Sequence, residues 1–462
     1  MTDWRSPFKE RFSPIIEPET GKTRALSSDQ SALTQFYQLH GLPLPPPGLA
    51  LKPKTIEDIQ AIVRMALKHD ISVMTRGGGS GVMQGIFPDP DSIIVDLSHF
   101  MEIGPLDAIN GLIPVGAGVN GLVLEKALQE NGWTLGHWPQ SIAMASMGGL
   151  VATKSIGQYS TKYGGIEDMV RSLDVVTGTG ELIHVGQTGP RRSLGPEILP
   201  LFMGSEGTLG IITRVLLRVW PIPPARYPLA ITFPGFSQGI EVMRQWLQGG
   251  LKPSVVRLYD PAESARAFHT ENQSSVLLAL FEGLSPLAQA SRHEAIRLSH
   301  AYGAEADNQW VDDWLKIRND VGAWGPLLQA GYLVDTIEVA AGWTTLASLH
   351  QSVLARTAKI PGVLAMTAHV SHAYSDGANL YFTFLAKPTT PEMAPDLYHQ
   401  IWAAVMEETL LLGGSVSHHH GIGRIRKEWA LRERPDEAPW LEQIRAIFDP
   451  GRIMNRGALW NL

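Results

Sequence analysis

Two stretches of this sequence hold residue types that can do chemistry. In the first, the apolar run Ile71 to Thr75 leads into Arg76 and then Gly77, Gly78, Gly79, Ser80 and Gly81. Adjacent glycines permit positive φ and carry no Cβ, so consecutive backbone N–H groups can converge on an anion such as a pyrophosphate. No Lys-Ser/Thr pair follows as in a P-loop, and Pro88-Asp89-Pro90 excludes the helix that a dinucleotide-binding glycine motif opens. A second strand, Ser92 to Leu97, follows instead. The alternative for this stretch alone is a flexible surface turn. The second stretch is His418-His419-His420-Gly421. Three adjacent imidazoles supply proton acceptors near neutral pH; read alone, they are equally a solvated basic loop or a metal-binding tract.

The elements that must position these residues are legible in part. Residues 1–50 are rich in Pro, Ser and charge, end in Leu42-Pro43-Leu44-Pro45-Pro46-Pro47, and read as an N-terminal extended arm. Thr55 and Asp58 form a capping-box start to a helix whose Ile56, Ile59, Ile62, Val63 and Leu67 recur at helical spacing. A helix from Leu122 to Gln129 and a hairpin about Thr177-Gly178-Thr179-Gly180 follow, with strands Ser172 to Val176 and Leu182 to Val185. The cluster Pro221-Ile222-Pro223-Pro224 marks a boundary. The expected organisation is therefore an arm (1–50), a two-lobed α/β domain (51–222), an α+β cap with an antiparallel sheet (223–408) and a C-terminal segment (409–462) returning to the first domain with its histidines.

The totals narrow the classes. A chain of 462 residues with 44% hydrophobic content folds into more than one domain. Its net charge of −7 and lack of a basic block argue against nucleic acid as partner. It contains no cysteine, which removes disulfides, zinc-thiolate sites, iron–sulfur clusters and a cysteinyl flavin bond, and fits a reducing cytoplasm. No stretch reads as a membrane span, so contact with a membrane would be peripheral. The expected partners are a small-molecule or lipid substrate and a second copy of the chain in a homodimer.

Strand, glycine turn, strand resembles the vanillyl-alcohol oxidase family, whose PCMH-type fold holds FAD. The resemblance extends through Pro139 and Ser141, through Ser146 with Gly148-Gly149 and Thr153, and through Tyr163-Gly164-Gly165-Ile166-Glu167-Asp168. It also covers Met203 to Gly210 around Glu206, and Ile212 in the strand beyond. It implies that these residues, with Arg76 to Gly81, bind the cofactor. A buried Glu206 would need a hydrogen-bonding partner such as ribose. Relatives that bond the flavin covalently carry a histidine at the glycine loop; Gly79-Ser80-Gly81-Val82 has none, so noncovalent FAD is expected.

Within that family the segment Ser415 to Trp429 resembles the His-His-His-Gly segment of the alkylglycerone-phosphate synthases. Val255 to Asp260, Ile317-Arg318-Asn319, Asp335 to Glu338, Tyr374 to Phe382 and Phe448-Asp449-Pro450 continue the likeness. It implies exchange of the acyl group of acyl-dihydroxyacetone phosphate for a fatty alcohol through a flavin N5 adduct, without net oxidation. Tyr381 and His418 to His420 would handle protons, with histidine pKa values near the working pH, and His137 would line the same pocket. Arg318, with Thr336 and Arg257, would hold the phosphate. The rival reading is an FAD-linked dehydrogenase of a 2-hydroxy acid such as D-lactate or glycolate, where two histidines and a glutamate bind a divalent metal. Here Tyr381 stands where that site needs His and His419 where it needs Glu. A phenol of pKa about 10 is a poor ligand, so no metal is expected.

Overall fold

Thr55 and Asp58 form the capping box their types predict. In the computed structural model, which describes all residues except 1–3, 19, 271–273, 321, 323 and 460–462, the Asp58 N–H donates to Thr55 Oγ1 and the Thr55 N–H to Asp58 Oδ2, each at 3.1 Å. Satisfying two otherwise orphaned donors in this way is worth about 1 kcal/mol. The helix Ile56–His69 buries Ile59, Ile62, Val63 and Ala66 in one core with a three-stranded parallel sheet. That sheet runs Leu49–Leu51, Ser92–Asp96, Ser72–Arg76. The glycine loop leaves the C-terminal end of its edge strand.

A second lobe is a four-stranded antiparallel sheet in the order Leu112–Gly116, Gly210–Arg218, Val170–Thr177, Leu182–Gly186. The expected hairpin is its edge, and Gly180 takes the positive φ (76°) that the turn requires. The tail returns to the first lobe. Val73 N–H donates to Ile453 O and Asn455 N–H to Val73 O, both at 2.8 Å.

Between the second lobe and the tail in chain order comes a seven-stranded sheet, antiparallel at every pairing. Its order is Ala304–Glu305, Ala225–Phe233, Ser275–Gly283, Val255–Tyr259, Val363–Val370, Gly377–Ala386, Leu333–Gly342. The strand Ser275–Gly283 shows why its sequence is apolar throughout instead of alternating. Leu277, Ala279 and Phe281 pack into a core with Trp246 and Trp402, whereas Val276, Leu278 and Leu280 face the core shared with the first two lobes. At this strand both faces of the sheet are covered by core, so both sets of side chains from Val276 to Phe281 are apolar. The fold is α+β, of the expected two-lobed type with a cap.

The N-terminal expectation needs correction. The described part of residues 1–50 is not an extended arm: Arg5–Phe12 and Ala32–Leu39 are helices, and Phe8, Phe12 and Phe36 are buried. The prolines dominate the composition but stop at Pro47. Phe8 and Phe12, four apart on one helical face, supply the anchor that composition conceals. Among the described residues no helix is long and apolar enough to cross a membrane.

Candidate active site

The cap sheet places its chemistry in rows. Across four neighbouring strands, Tyr259 pairs with His369, His369 with Tyr381 and Tyr381 with Glu338. One step along lie Thr367, Thr383 and Thr336. Because residues in register share a face, this side of the sheet is polar and aromatic where the other is apolar. It forms the floor of a cavity of about 960 Å³, which the glycine loop, the Pro139–Ser141 turn, Gly148, Gly149 and the His419-His420 loop also line.

The glycine wall is backbone against backbone. A Cβ on Gly78 would lie 1.8 Å from Met144 O, and one on Gly77 would lie 1.9 Å from Ser146 Oγ. Only Gly79 in this loop has positive φ, 68°, so Gly78 is required by close approach and not by its dihedrals. Ser146 Oγ in turn accepts the Gly149 N–H at 3.3 Å and starts the helix Met147–Ala152. Thr75 also lines the cavity, and its buried Oγ1 has no partner. A slot without side chains, edged by an unmatched hydroxyl, fits a diphosphate held by backbone N–H groups and a hydroxyl. Gly77 to Gly81, Gly148, Gly149 and Thr75 are the residues that would hold that part of FAD.

On the cap floor, Tyr381 is sandwiched. Its ring stacks on His369 (centroids 4.8 Å) and on His419 (5.7 Å), with His420 edge-on at 5.5 Å. Burial pushes the phenol up to about 12, so it stays protonated, and the Thr336 hydroxyl hydrogen-bonds to it. Arg257 Nη2 meets His369 Nε2 at 2.9 Å, and the other ring nitrogen of His369 contacts both oxygens of Glu263 at 3.1 Å.

The histidine loop is held from beneath by Glu338, which is fully buried. Its carboxylate accepts the backbone N–H of His418 (2.5 Å) and His420 (2.8 Å) and pairs with Arg426 Nη1 at 2.5 Å. Burial alone would raise the Glu338 pKa, but Arg426 and the neighbouring histidines outweigh it and hold it below the ordinary 4.5. A depressed carboxylate stabilises the fold fully above its unfolded value and loses that contribution as pH falls through the folded value. Glu338→Gln leaves the buried Arg426 uncompensated and should cost about 3–5 kcal/mol. Denaturant unfolding should show that deficit at neutral pH and show it shrinking below pH 4.5.

The histidines themselves depart from expectation. Burial pushes His418 and His420 down to about 4, and burial together with the other imidazoles carries His419 and His372 well below the ordinary 6.5. They are neutral at physiological pH and not poised near it, because four imidazoles packed out of water cannot share more positive charge.

Of the residues singled out from the sequence, the cavity brings together Gly77 to Gly81, Pro139, Ser141, Ser146, Gly148, Gly149, Thr153, Glu206, Ile212, Arg257, Arg318, Thr336, Tyr381, His419 and His420. Others lie elsewhere. His137 is buried behind the turn with both ring nitrogens unpartnered, pushed down to about 3 by burial, and does not reach the cavity wall. Tyr163 donates to Glu282 Oε1 at 2.7 Å and lines a second cavity of about 560 Å³. Gly164 turns against the Asp168 carboxylate, and Ile166 is core. Arg76 does not line the cavity: its guanidinium lies against Gly79 and donates to the carbonyls of Leu26 (3.0 Å) and Ser28 (2.6 Å). His418 sits behind His419, with Nε2 3.1 Å from Tyr374 Oη. Glu206 does line the cavity, but its carboxylate is taken by the N–H groups of Ile422 (2.7 Å) and Gly423 (2.9 Å). Through these two bonds it fastens the far end of the histidine loop.

Sequence reasoning gave no role to Glu338, Glu263, Arg426 or Asp29. Thr336 and Glu338 are two apart, the spacing that puts both on one face of a strand, and that spacing was the available signal for Glu338. For Arg426 and Asp29 nothing local distinguishes them from surface charges.

Comparison with known proteins agrees with this geometry. Residues 47–186 match the FAD binding domain family, and residues 222–459 match the family of FAD linked oxidases, C-terminal domain. The uncharacterized FAD-linked oxidoreductase YgcU of Escherichia coli (strain K12) is 32% identical over 99% of this chain and 98% of its own length. Alkyldihydroxyacetonephosphate synthase of Caenorhabditis elegans is 27% identical over 88% of this chain and 75% of its own. D-lactate dehydrogenase of Archaeoglobus fulgidus is 26% identical over 88% and 90%. The solved structure of an alkyldihydroxyacetonephosphate synthase superposes with a TM-score of 0.80 at 23% identity, covering 98% of this chain and 84% of that one. p-Cresol methylhydroxylase with substrate bound superposes at 0.80 with 14% identity, covering 99% and 97%. With the glycine cradle in its first lobes and the tyrosine and histidines on its cap, this chain belongs to the FAD-linked oxidases, and its cofactor is noncovalently bound FAD.

Proposed function

We propose that the protein acts on an anionic substrate at the Tyr381 end of the cavity, with the exchange chemistry of the alkyldihydroxyacetonephosphate synthases. One observation carries this: Tyr381, stacked between His369 and His419, shares a cavity with Arg318, a half-buried cation that no carboxylate of the described residues pairs. Arg318 lies over Trp138 (4.4 Å) and Tyr159 (5.1 Å) and bonds Gln158 Oε1 at 3.0 Å. Among the described residues it makes no ion pair. Its remaining donors suit a phosphate or carboxylate, which a guanidinium binds through two parallel hydrogen bonds.

The division of labour follows from protonation states. The protonated Tyr381 donates to an oxygen that gains charge, and neutral His419 accepts a proton from an incoming hydroxyl. Thr336 orients the phenol, and Glu338 holds the histidine backbone in place. FAD, when bound, supplies an electrophilic ring for the substrate carbon. Anaerobic mixing with an acyl-dihydroxyacetone phosphate and a labelled fatty alcohol should incorporate the label while releasing the fatty acid, with no electron acceptor consumed. Steady reduction of a dye by lactate or glycolate, with no exchange, overturns this reading.

A second reading has its own observation. His372, His418 and His419 offer ring nitrogens within 4.8 Å of one another, a spacing that could hold a divalent ion, as a hydroxy-acid dehydrogenase would need. Under the exchange reading, protein treated with chelator and desalted keeps its activity and contains substoichiometric metal. Stoichiometric zinc or manganese whose removal abolishes turnover selects the dehydrogenase.

A further inference from the structure

Residues 26–40 form a strap from the glycine loop to the cap. At one end Arg76 holds the carbonyls of Leu26 and Ser28, and the Gln30 N–H donates to Gly81 O at 2.7 Å. At the other end Phe36 is part of the cap core, and His40 Nε2 hydrogen-bonds to Leu328 O at 2.9 Å. Between them Asp29, Gln30, Ala32 and Gln35 face the cavity beside the glycines.

Asp29 is the group in the strap that asks for a ligand. It is 5% exposed, and its Oδ2 lies 3.5 Å from where a Cβ on Gly81 would stand. Oδ1 accepts the Ser31 N–H at 3.1 Å and Oδ2 the Gly85 N–H at 3.0 Å. Each carboxyl oxygen can accept a second bond, and the described residues supply no further donor. Burial, only partly offset by those two N–H groups and by Arg424 and Arg76, pushes this carboxyl up to about 7. A phosphate beside it would add like charge in a low-dielectric wall, whereas a hydroxyl relieves the cost.

We propose that Asp29 is a cofactor-binding residue: it takes a hydroxyl of FAD, on the ribityl chain or on the adenosine ribose, and so ties the strap across the occupied cavity. This rests on FAD binding alone and not on the reaction proposed above. The test titrates the full-length, deflavinated chain with FAD, following quenching of flavin fluorescence. Asp29→Ala should weaken FAD by about 10-fold or more, the scale of losing a hydrogen bond to a charged group. Ser31→Ala removes the hydroxyl that caps the same helix by accepting the Thr34 N–H but touches no cavity wall, and it should change FAD affinity by less than about threefold. Riboflavin titrated in the same way, and ADP titrated by calorimetry, locate the hydroxyl, since Asp29→Ala weakens whichever half carries it. Asp29→Ala within about twofold of wild type, or a loss in Ser31→Ala equal to that in Asp29→Ala, overturns the proposal, the latter because strap order and not the carboxyl would then be what FAD senses.

Discussion

Gly78→Val is expected to yield a folded protein that purifies without colour. The new Cβ would stand 1.8 Å from Met144 O and 2.8 Å from its carbonyl carbon. Both are backbone atoms of the turn that feeds the helix Met147–Ala152, and neither can rotate aside. The loop must therefore move as a unit, taking its N–H groups away from the cavity and pushing on the Gly148-Gly149 wall. Overpacking of this kind costs about 1–3 kcal/mol, which a chain of this size withstands, but a diphosphate slot displaced by an ångström loses its hydrogen bonds together. The ratio of absorbance at 450 to 280 nm should fall to near zero while the circular dichroism stays that of the wild type. Retention of FAD at one per chain would show that the diphosphate lies elsewhere. In wild-type protein, acid precipitation should leave the yellow colour in the supernatant, and colour in the pellet would contradict noncovalent binding.

Tyr381→Phe carries the second large effect. The substitution keeps the ring stacked between His369 and His419 and removes only the hydroxyl whose proton burial retains. FAD content and stability should therefore change little, while kcat falls about 10²-fold or more, the usual scale for losing a general acid. The split between parameters is diagnostic. If Arg318 and not Tyr381 carries ground-state binding, KM stays near its wild-type value in Tyr381→Phe and rises in Arg318→Ala. An unchanged kcat in Tyr381→Phe would remove the phenol from the chemistry.

Local physics accounts for what was legible without a structure. The Thr55–Asp58 capping box, the helix ending at Gln129 and the Thr177–Gly180 hairpin depend on residues a few positions apart, so their types announce them. The glycine loop was legible for the same reason, although the cause at Gly78 is contact with Met144 and not its own dihedral angles. The family resemblance added the assignment of FAD, and with it most of the cavity wall.

What only the tertiary structure decided is which polar residue faces which other. Tyr259, His369, Tyr381 and Glu338 become one row through strand registers spanning more than a hundred residues of sequence, and a slip of one residue would turn every one of them to the opposite face. The same long-range pairing gives Glu206 and Glu338 their partners in the histidine loop, withdraws His137 and Tyr163 from the cavity, and lays the N-terminal strap over the glycines. It also sets the charge of the histidines: a lone imidazole in water titrates near neutrality, but four of them buried in contact are held neutral by desolvation and mutual repulsion. The sequence by itself determined the residues and the local turns that carry them; burial and register, which exist only once the sheet has formed, decided what those residues can do.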